Sequence, residues 1–367
     1  MNGGFIMNTS LRAAESFALS GKIISCEPYG FGHINRTFLV VTDTGVRYIL
    51  QGINEVVFAN VPGLMSNVIA VTEHISAMVS EPRECLHLVK TNAGEDYLCD
   101  EDGKYWRMYD FVEHSLCLQA AEQPSDFYES AVAFGNFQKQ LADFPAATLH
   151  ETIPNFHNTP DRYRKFKLAL EADVLNRADE CRYEIEEYLK REQDGAVLQS
   201  WLKEGRLPLR VTHNDTKLNN VMLDETSRKA LCVIDLDTVM PGLMAYDFGD
   251  SIRFGAATAA EDEKDISKVS IDLDLYATYI RGFLSACPEL TEDELMSLPW
   301  GARTMTLECG LRFLTDYLDG DKYFAVHRPG HNLDRCRTQL KMVQEMEAKW
   351  DEMLRILGEE KEKLNRK

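Results

Sequence analysis

Between residues 212 and 220 the chain reads THNDTKLNN, which sets His213, Asp215, Lys217 and Asn220 in one short frame. An aspartate that takes the proton of an attacking hydroxyl, followed five residues later by an asparagine that holds a divalent cation, suits phosphoryl transfer. A loop and one helical turn aim both side chains at the same phosphate, one at the nucleophile and one at the metal. Taken alone, the frame has a plainer explanation: Asp215 and Thr216 cap a helix, and Asn219 and Asn220 sit in turns. The residues downstream shift the balance. LCVIDLDT, 231 to 238, is an apolar run that ends in Asp235 and Asp237. A buried strand stopping at Asp235 brings a carboxylate to the edge of a sheet, where a hard, oxygen-seeking cation binds. Base, amide and metal carboxylate in this order are hard to read as three unrelated turn signals. Asp237 has three readings of equal weight: a second metal ligand, a substrate contact, or the end of the strand.

The elements that must carry these groups follow from periodicity. Residues 8 to 20 read as a short amphipathic helix, and 22–30, 34–42 and 47–53 as β-rich runs joined by short links, which implies an antiparallel meander. Gly30 and Gly32 fall between the first two strands, in GFGHIN. Glycines there let the backbone approach phosphate oxygens without a clashing Cβ, though a G-x-G in a hairpin is more often only a turn. Residues 63 to 80 read as a helix, and 86–92, 95–100 and 104–113 as further strands. Trp106 and Tyr109, alternating aromatics, read as core. From Ser125 onward the spacing becomes helical, with segments at 126–144, 162–178, 181–193, 273–285, 302–318 and 333–357. The final EEKEKLNRK reads as a solvated, fraying end. A sheet lobe over 1–112 followed by a mainly helical lobe over 113–367 is an α+β, two-lobe plan.

Composition narrows the function classes. With 367 residues, 44% hydrophobic and 27% charged, the chain is long enough for two lobes with a core each. A net charge of −19 argues against a general binder of nucleic acid or of anionic membranes. The same charge implies that an anionic ligand is met through a bound cation. Nine cysteines without a CxxC pair imply free thiols in a reducing cytoplasm. No apolar run is long enough to span a membrane, and MNGGFIMNTS lacks the regions of a signal peptide, so a cytoplasmic location is expected. Met7 is a possible alternative start.

The stretches EPYGFGHINRTFLV, LRVTHNDTKLNNVMLD, IDLDTVMPGLMAYDFGDSIRFGA and ECGLRFLTDYLDGDKYF together resemble the aminoglycoside-phosphotransferase and choline-kinase group of small-molecule kinases. Within that group they resemble the bacterial N-acetylhexosamine 1-kinases. The resemblance implies a protein-kinase-like fold and transfer of the γ-phosphoryl of ATP to the anomeric hydroxyl of N-acetylglucosamine or N-acetylgalactosamine. It implies Asp215 as the base, Lys217 near the transferred phosphoryl, and Asn220 and Asp235 as magnesium ligands. Gly30 and Gly32 would cover the nucleotide, and Phe111 and Val112 would form the hinge at the adenine edge. His33, Thr238, Phe254, Arg312 and Tyr323 would meet the sugar. Arg312 has a competing role as a rung of a surface ladder with Glu308 and Asp316, four residues to either side. Asp247 and Asp250 are expected to fix the loop backbone and cap a helix start. One departure stands out: Gln51 occupies the strand position where kinases place a lysine, so another cation, or the metal, must carry that charge. Two other classes remain open, a sister kinase acting on an amino alcohol, aminoglycoside or different sugar, and a catalytically silent nucleotide- or sugar-binding module.

Overall fold

A computed structural model of the chain describes residues 3–30 and 34–366. Its N-terminal part is built on one antiparallel sheet. Helix α1 (Gly3–Glu15) precedes the meander β1 (Ile23–Pro28), β2 (Arg36–Thr42) and β3 (Arg47–Gly52). Helix α2 (Val61–Ser76) is inserted next, followed by the short β4 (Leu98–Cys99) and β5 (Tyr105–Asp110), and the sheet order is β1-β2-β3-β5-β4. The meander turns at Gly45, whose φ of 83° is open to glycine at little cost. Alternation sets the two faces: Phe38, Val40, Tyr48, Leu50, Trp106 and Met108 make one core beneath the sheet. Tyr109 faces the other way and joins α2 in a second core, which also holds Leu236 and Val239 of the C-terminal part.

The C-terminal part is mainly helical. Strand β6 (Ser115–Cys117) leads to α3 (Pro124–Gln140), α4 (Thr159–Ala172), α5 (Arg182–Lys190), α6 (Glu192–Gly195) and α7 (Val197–Lys203). Four short strands follow, β7 (Arg210–Thr212), β8 (Val221–Asp224), β9 (Ala230–Val233) and β10 (Met240–Gly242). They form the antiparallel pairs β6–β8, β8–β9 and β7–β10. The chain ends in α8 (Met244–Gly255), α9 (Leu273–Ala286), α10 (Glu292–Asp319), α11 (His331–Ala348) and α12 (Trp350–Asn365). Helices α8 and α10 touch through glycine: a Cβ on Gly249 would lie 2.2 Å from the Gly301 carbonyl oxygen, and one on Gly301 2.0 Å from that of Ala245. This close approach holds α8, which braces the site, firmly against the longest helix.

The sheet-then-helices plan agrees with the sequence, and several boundaries do not. Among the described residues, 86–92 make isolated bridges, Leu88 to Tyr109 and Thr91 to Phe17, and not a named strand, although Val89 and His87 exchange backbone hydrogen bonds with Met108 and Asp110 of β5 at 2.8 and 3.0 Å. Helix α10 starts ten residues before the expected 302, at a capping box in which Thr291 and Glu294 satisfy each other's backbone, and it runs through Pro299. The run from 333 to 357 is two helices broken at Lys349. The terminus is helical, not frayed: Glu360 is buried and takes Arg281 at 2.9 and 3.0 Å. All nine cysteines are free. Among the described residues no helix is long and apolar enough to cross a membrane.

Candidate active site

The site is made by two loops held side by side, 213–220 after β7 and 234–239 after β9, because β7 pairs with β10 through Thr212 and Met240. His213 is buried with its ring edge-on to Phe134 and Phe137, at 5.5 and 5.9 Å. Its Nε2 bonds the Ile234 carbonyl at 2.8 Å, and its Nδ1 accepts the Asp215 N–H at 3.3 Å. One nitrogen faces an acceptor and the other a donor, which assigns the neutral ring with its proton on Nε2. This histidine is therefore a strut between the two loops.

Helix α8 clamps the first loop from below. Asp247 accepts the backbone N–H groups of His213 and Asn214 and the Gln138 side-chain amide, each at 2.8 Å. The Thr216 hydroxyl donates to the Asp247 carbonyl at 2.6 Å, and the Thr216 N–H to Asp250 at 3.2 Å. Asn214 is left-handed, with φ 66°, and its side chain donates to the carbonyls of Thr212 and Thr238. Asp247 and Asp250 thus hold the loop backbone as expected, but from within α8. They do not cap its start, where Leu243 stands without a side-chain cap.

At the centre, Asp215 and Lys217 are half-buried and 2.7 Å apart. Burial works against the Lys217 charge, but the carboxylates of Asp215 and Asp250 outweigh it and hold its pKa above the ordinary value. The Asn220 amide donates to the Asp215 carbonyl at 2.8 Å and to its carboxylate at 3.0 Å. With its NH₂ committed, Asn220 has its amide oxygen left for a cation. The loop ends in a 3-10 turn, Leu218–Asn220, in which neither Asp215 nor Thr216 acts as a helix cap. Asp235 follows β9 in the left-handed conformation, φ 61° and ψ 58°, and makes no hydrogen bond or ion pair among the described residues. The residue is exposed, yet protein packs densely around its carboxylate. That desolvation, with Asp237 and Asp215 nearby, pushes its pKa up to about 6. A carboxylate crowded by two others, on the segment that the Ile234 N–H ties to the Asn220 carbonyl, fits a hard divalent cation. Among the described residues no three His, Cys, Asp or Glu side chains form a cage. Asp237 is already engaged: it is buried against Arg107 and also receives the Asn35 amide.

Past the end of β1, Gly30 has φ 78° and no atom of the described residues within 4 Å of where a Cβ would stand, whereas Gly32 and His33 lie outside the described residues. Phe111 packs between Tyr29, at 6.0 Å, and the Arg47 guanidinium, at 4.0 Å. The Phe111 N–H is taken by the Arg47 carbonyl at 3.2 Å, and the Val112 carbonyl accepts the Ser115 hydroxyl. Of Phe111 and Val112, the one whose backbone N–H has no partner among the described residues is Val112.

On the opposite side, the ladder alternative for Arg312 fails. Glu308 is held by His157 at 2.9 Å and Thr159 at 2.7 Å, and Asp316 accepts the backbone N–H groups of Lys322, Tyr323 and Phe324. Arg312 makes no hydrogen bond or ion pair among the described residues and lies over the rings of Phe156, Tyr323 and Phe324 at 5.4 to 5.7 Å. Arg162 adjoins it: burial and the Arg312 charge lower its pKa, and its Nη2 donates to the Phe156 carbonyl at 2.7 Å. Tyr323 is 69% exposed and Phe254 42%, both free to meet a ligand. The Thr238 hydroxyl is a loop brace, donating to the His213 carbonyl at 2.6 Å. Sequence reasoning missed Arg162, Phe156 and Arg107. The first two stand where the chain shows only a basic helix and its approach, RYRKFK and NFHN, with nothing to tell which side chains face Arg312.

The sequence model of the phosphotransferase enzyme family matches residues 25–268, and the chain belongs to that family. Among solved structures it is similar to a microcompartment-associated aminopropanol kinase, at 14% identity and a TM-score of 0.60, over 94% of this chain and 98% of that one. It is similar to an amicoumacin kinase in complex with AMP-PNP, Ca²⁺ and Ami, at 10% identity and a TM-score of 0.60, over 93% of each chain. The choline kinase of Streptococcus pneumoniae shares 12% identity at a TM-score of 0.55, over 94% of this chain and 99% of that one. At these identities the likeness shows a common fold.

Proposed function

We propose that this member of the phosphotransferase enzyme family transfers the γ-phosphoryl group of ATP to the anomeric hydroxyl of an N-acetylhexosamine, giving the sugar 1-phosphate. The observation that carries the acceptor class is the pair Arg312 and Arg162. Among the described residues neither guanidinium is ion-paired; Arg312 lies over three aromatic rings, and Arg162 donates to the Phe156 carbonyl. The nearby carboxylates are already committed, Glu308 to His157 and Thr159, and Asp250 and Glu261 to Arg253. An amino alcohol or aminoglycoside brings ammonium charge, which two guanidiniums sharing the one buried carboxylate of Glu308 disfavour. A neutral sugar stacks on the rings and offers an acetamide carbonyl to the Arg312 N–H groups.

In this reading Asp215 orients the sugar hydroxyl and takes its proton. Transfer through a loose transition state releases that proton late, so placement by Asn220 and Lys217 matters more than a raised pKa. Lys217 reaches toward the transferred phosphoryl. The Asn220 amide oxygen and Asp235 would hold Mg²⁺, which when bound neutralises charge on the phosphate oxygens. Gly30 and Gly32 cover the nucleotide, and the Val112 N–H meets the adenine edge beside Phe111. His33, Thr238, Phe254 and Tyr323 complete the sugar side. We place the lobe boundary between 112 and 113, where the chain leaves β5 and enters β6, which pairs with β8.

The test is ADP release from MgATP over a panel of N-acetylhexosamines, plain hexoses, choline, aminopropanol and an aminoglycoside. Phosphorus NMR of the product then locates the phosphate. Turnover on N-acetylhexosamines with an anomeric phosphate is the expected result. Turnover only on the amines refutes the acceptor class, and none on any alcohol leaves a silent binding module.

A further inference from the structure

Strand β3 offers Gln51 where a cation is expected, and the neighbouring strand supplies one. Gln51 faces Arg107 across the β3–β5 register. The Arg107 Nε and Nη2 both donate to the Gln51 side-chain oxygen, at 3.0 and 2.8 Å, and Nη1 pairs with Asp237. Arg107 and Asp237 are 1% and 3% exposed, so this ion pair is fully withdrawn from water. Such a pair is seldom a net gain over apolar side chains of the same volume, and a specific geometric task is the usual reason for one.

The task is visible in what the pair connects. Arg107 belongs to the N-terminal sheet, and Asp237 to the 3-10 turn Leu236–Thr238 that begins at Asp235. The other Asp237 oxygen receives the Asn35 amide, and the Asn35 side-chain oxygen accepts the Asn54 N–H at 3.0 Å. The Asp237 carbonyl accepts the Thr152 hydroxyl at 3.1 Å. Among the described residues Asp235 itself has no side-chain partner, and it stands in a left-handed conformation that costs an L residue energy and that its surroundings must hold. The imposed restraint is the anchor two residues on.

We propose that Arg107 is a positioning residue for the metal carboxylate: through Asp237 it locks the turn that aims Asp235, and through Asn35 it ties the nucleotide cover segment to the same anchor. The guanidinium is too deeply buried to touch a nucleotide in this arrangement, so it acts by placement. This inference rests on Asp235 as the metal ligand.

The test uses Mn²⁺ binding in the presence of ADP, followed by the electron paramagnetic resonance of free Mn²⁺, so that no acceptor need be known. Urea unfolding is run in parallel. Arg107→Met is expected to weaken Mn²⁺ binding about tenfold or more and to lower the unfolding midpoint, since Asp237 is left buried and alone. The double variant Arg107→Met with Asp237→Leu removes both charges. It should recover the midpoint while Mn²⁺ binding stays weak, because the turn has lost its anchor. If the double variant recovers Mn²⁺ binding as well, or Arg107→Met binds Mn²⁺ as wild type does, the positioning role is overturned. Asp235→Ala separates the two layers. Unchanged Mn²⁺ binding in that variant removes the metal-ligand reading and this inference with it, whereas weakened binding there with Arg107→Met unaffected overturns this inference alone.

Discussion

Asp247→Asn is the sharpest perturbation of the catalytic loop, because it changes one atom that touches no substrate. The Asp247 carboxylate, 1% exposed, receives the N–H groups of His213 and Gln138 on one oxygen and that of Asn214 on the other, each at 2.8 Å. An asparagine of the same shape has a single oxygen. Its best orientation keeps His213 and Gln138 and turns the NH₂ toward the Asn214 N–H, leaving that donor buried and unmet. A hydrogen bond to a charged group contributes about 1.5–3 kcal/mol, and an orphaned buried donor costs about 1–3 kcal/mol. Burial already disfavours the Asp247 charge and raises its pKa, so the neutral amide recovers part of the loss. A net destabilisation of about 2–4 kcal/mol is expected, read as a lower urea midpoint. The larger effect falls on rate. Asn214 is left-handed next to Asp215, and once released it lets the candidate base shift; a displacement of order 1 Å lowers turnover about a hundredfold. Steady-state kinetics should therefore show kcat down about a hundredfold with the KM for ATP changed only a few-fold. Turnover within a few-fold of wild type and an unmoved midpoint would refute the clamp.

Four further outcomes follow from the same geometry. Asp215→Asn should fold normally and lose about two to four decades of turnover, because the amide keeps a hydrogen bond and cannot take a proton; near-wild-type rates would remove Asp215 from the base role. In Asp235→Ala the Mg²⁺ requirement for turnover should rise together with the KM for ATP, and an unchanged Mg²⁺ titration would place the ion elsewhere. Arg312→Leu should lower kcat/KM for N-acetylhexosamines about ten- to a hundredfold more than for plain hexoses, as expected for one charged hydrogen bond, and an unchanged ratio sinks the acetamide contact. Glu345 is held at about 2 by Lys341, with Ser270 and Lys349 adding to it against burial. A carboxyl lowered from its ordinary 4.5 contributes stability above that pH and loses it as pH falls toward 2, so the urea midpoints of wild type and Glu345→Gln should converge across that window and nowhere above it.

Much of the architecture is legible in the chain because local periods report it directly. The meander of three strands, the inserted α2 and the helical stripes all follow from alternation at two residues or recurrence near 3.6. What periodicity mistook were segments whose partners lie far away. Residues 86–92 look like a strand and pair with β5 only around the single bridge of Leu88 to Tyr109. Pro299, Trp300 and Gly301 look like a helix break, yet they continue α10 because Gly301 is needed against Ala245. The charged end looks solvated, and it docks through Glu360 onto Arg281.

The site divides in the same way. Asp215, Lys217 and Asn220 lie within six residues, so sequence spacing alone brought their side chains together. Asp235 was readable because an apolar strand must end somewhere, and a carboxylate at its end faces outward. The state of each group was decided elsewhere. Asp237 carries the same sequence signal as Asp235, and only the arrival of Arg107 from another strand makes it an anchor while Asp235 stays free. Arg312 sits at ladder spacing from Glu308 and Asp316, and only the approach of His157, Thr159 and the 322–324 backbone takes both carboxylates away from it. Sequence determines which charges a segment carries and which neighbours lie within a turn or two. Which of those charges remain unpaired depends on how the chain closes on itself, over more than a hundred residues at Asp237 and Glu308 and around a tight loop at Asp316, and those contacts exist only once the chain has folded.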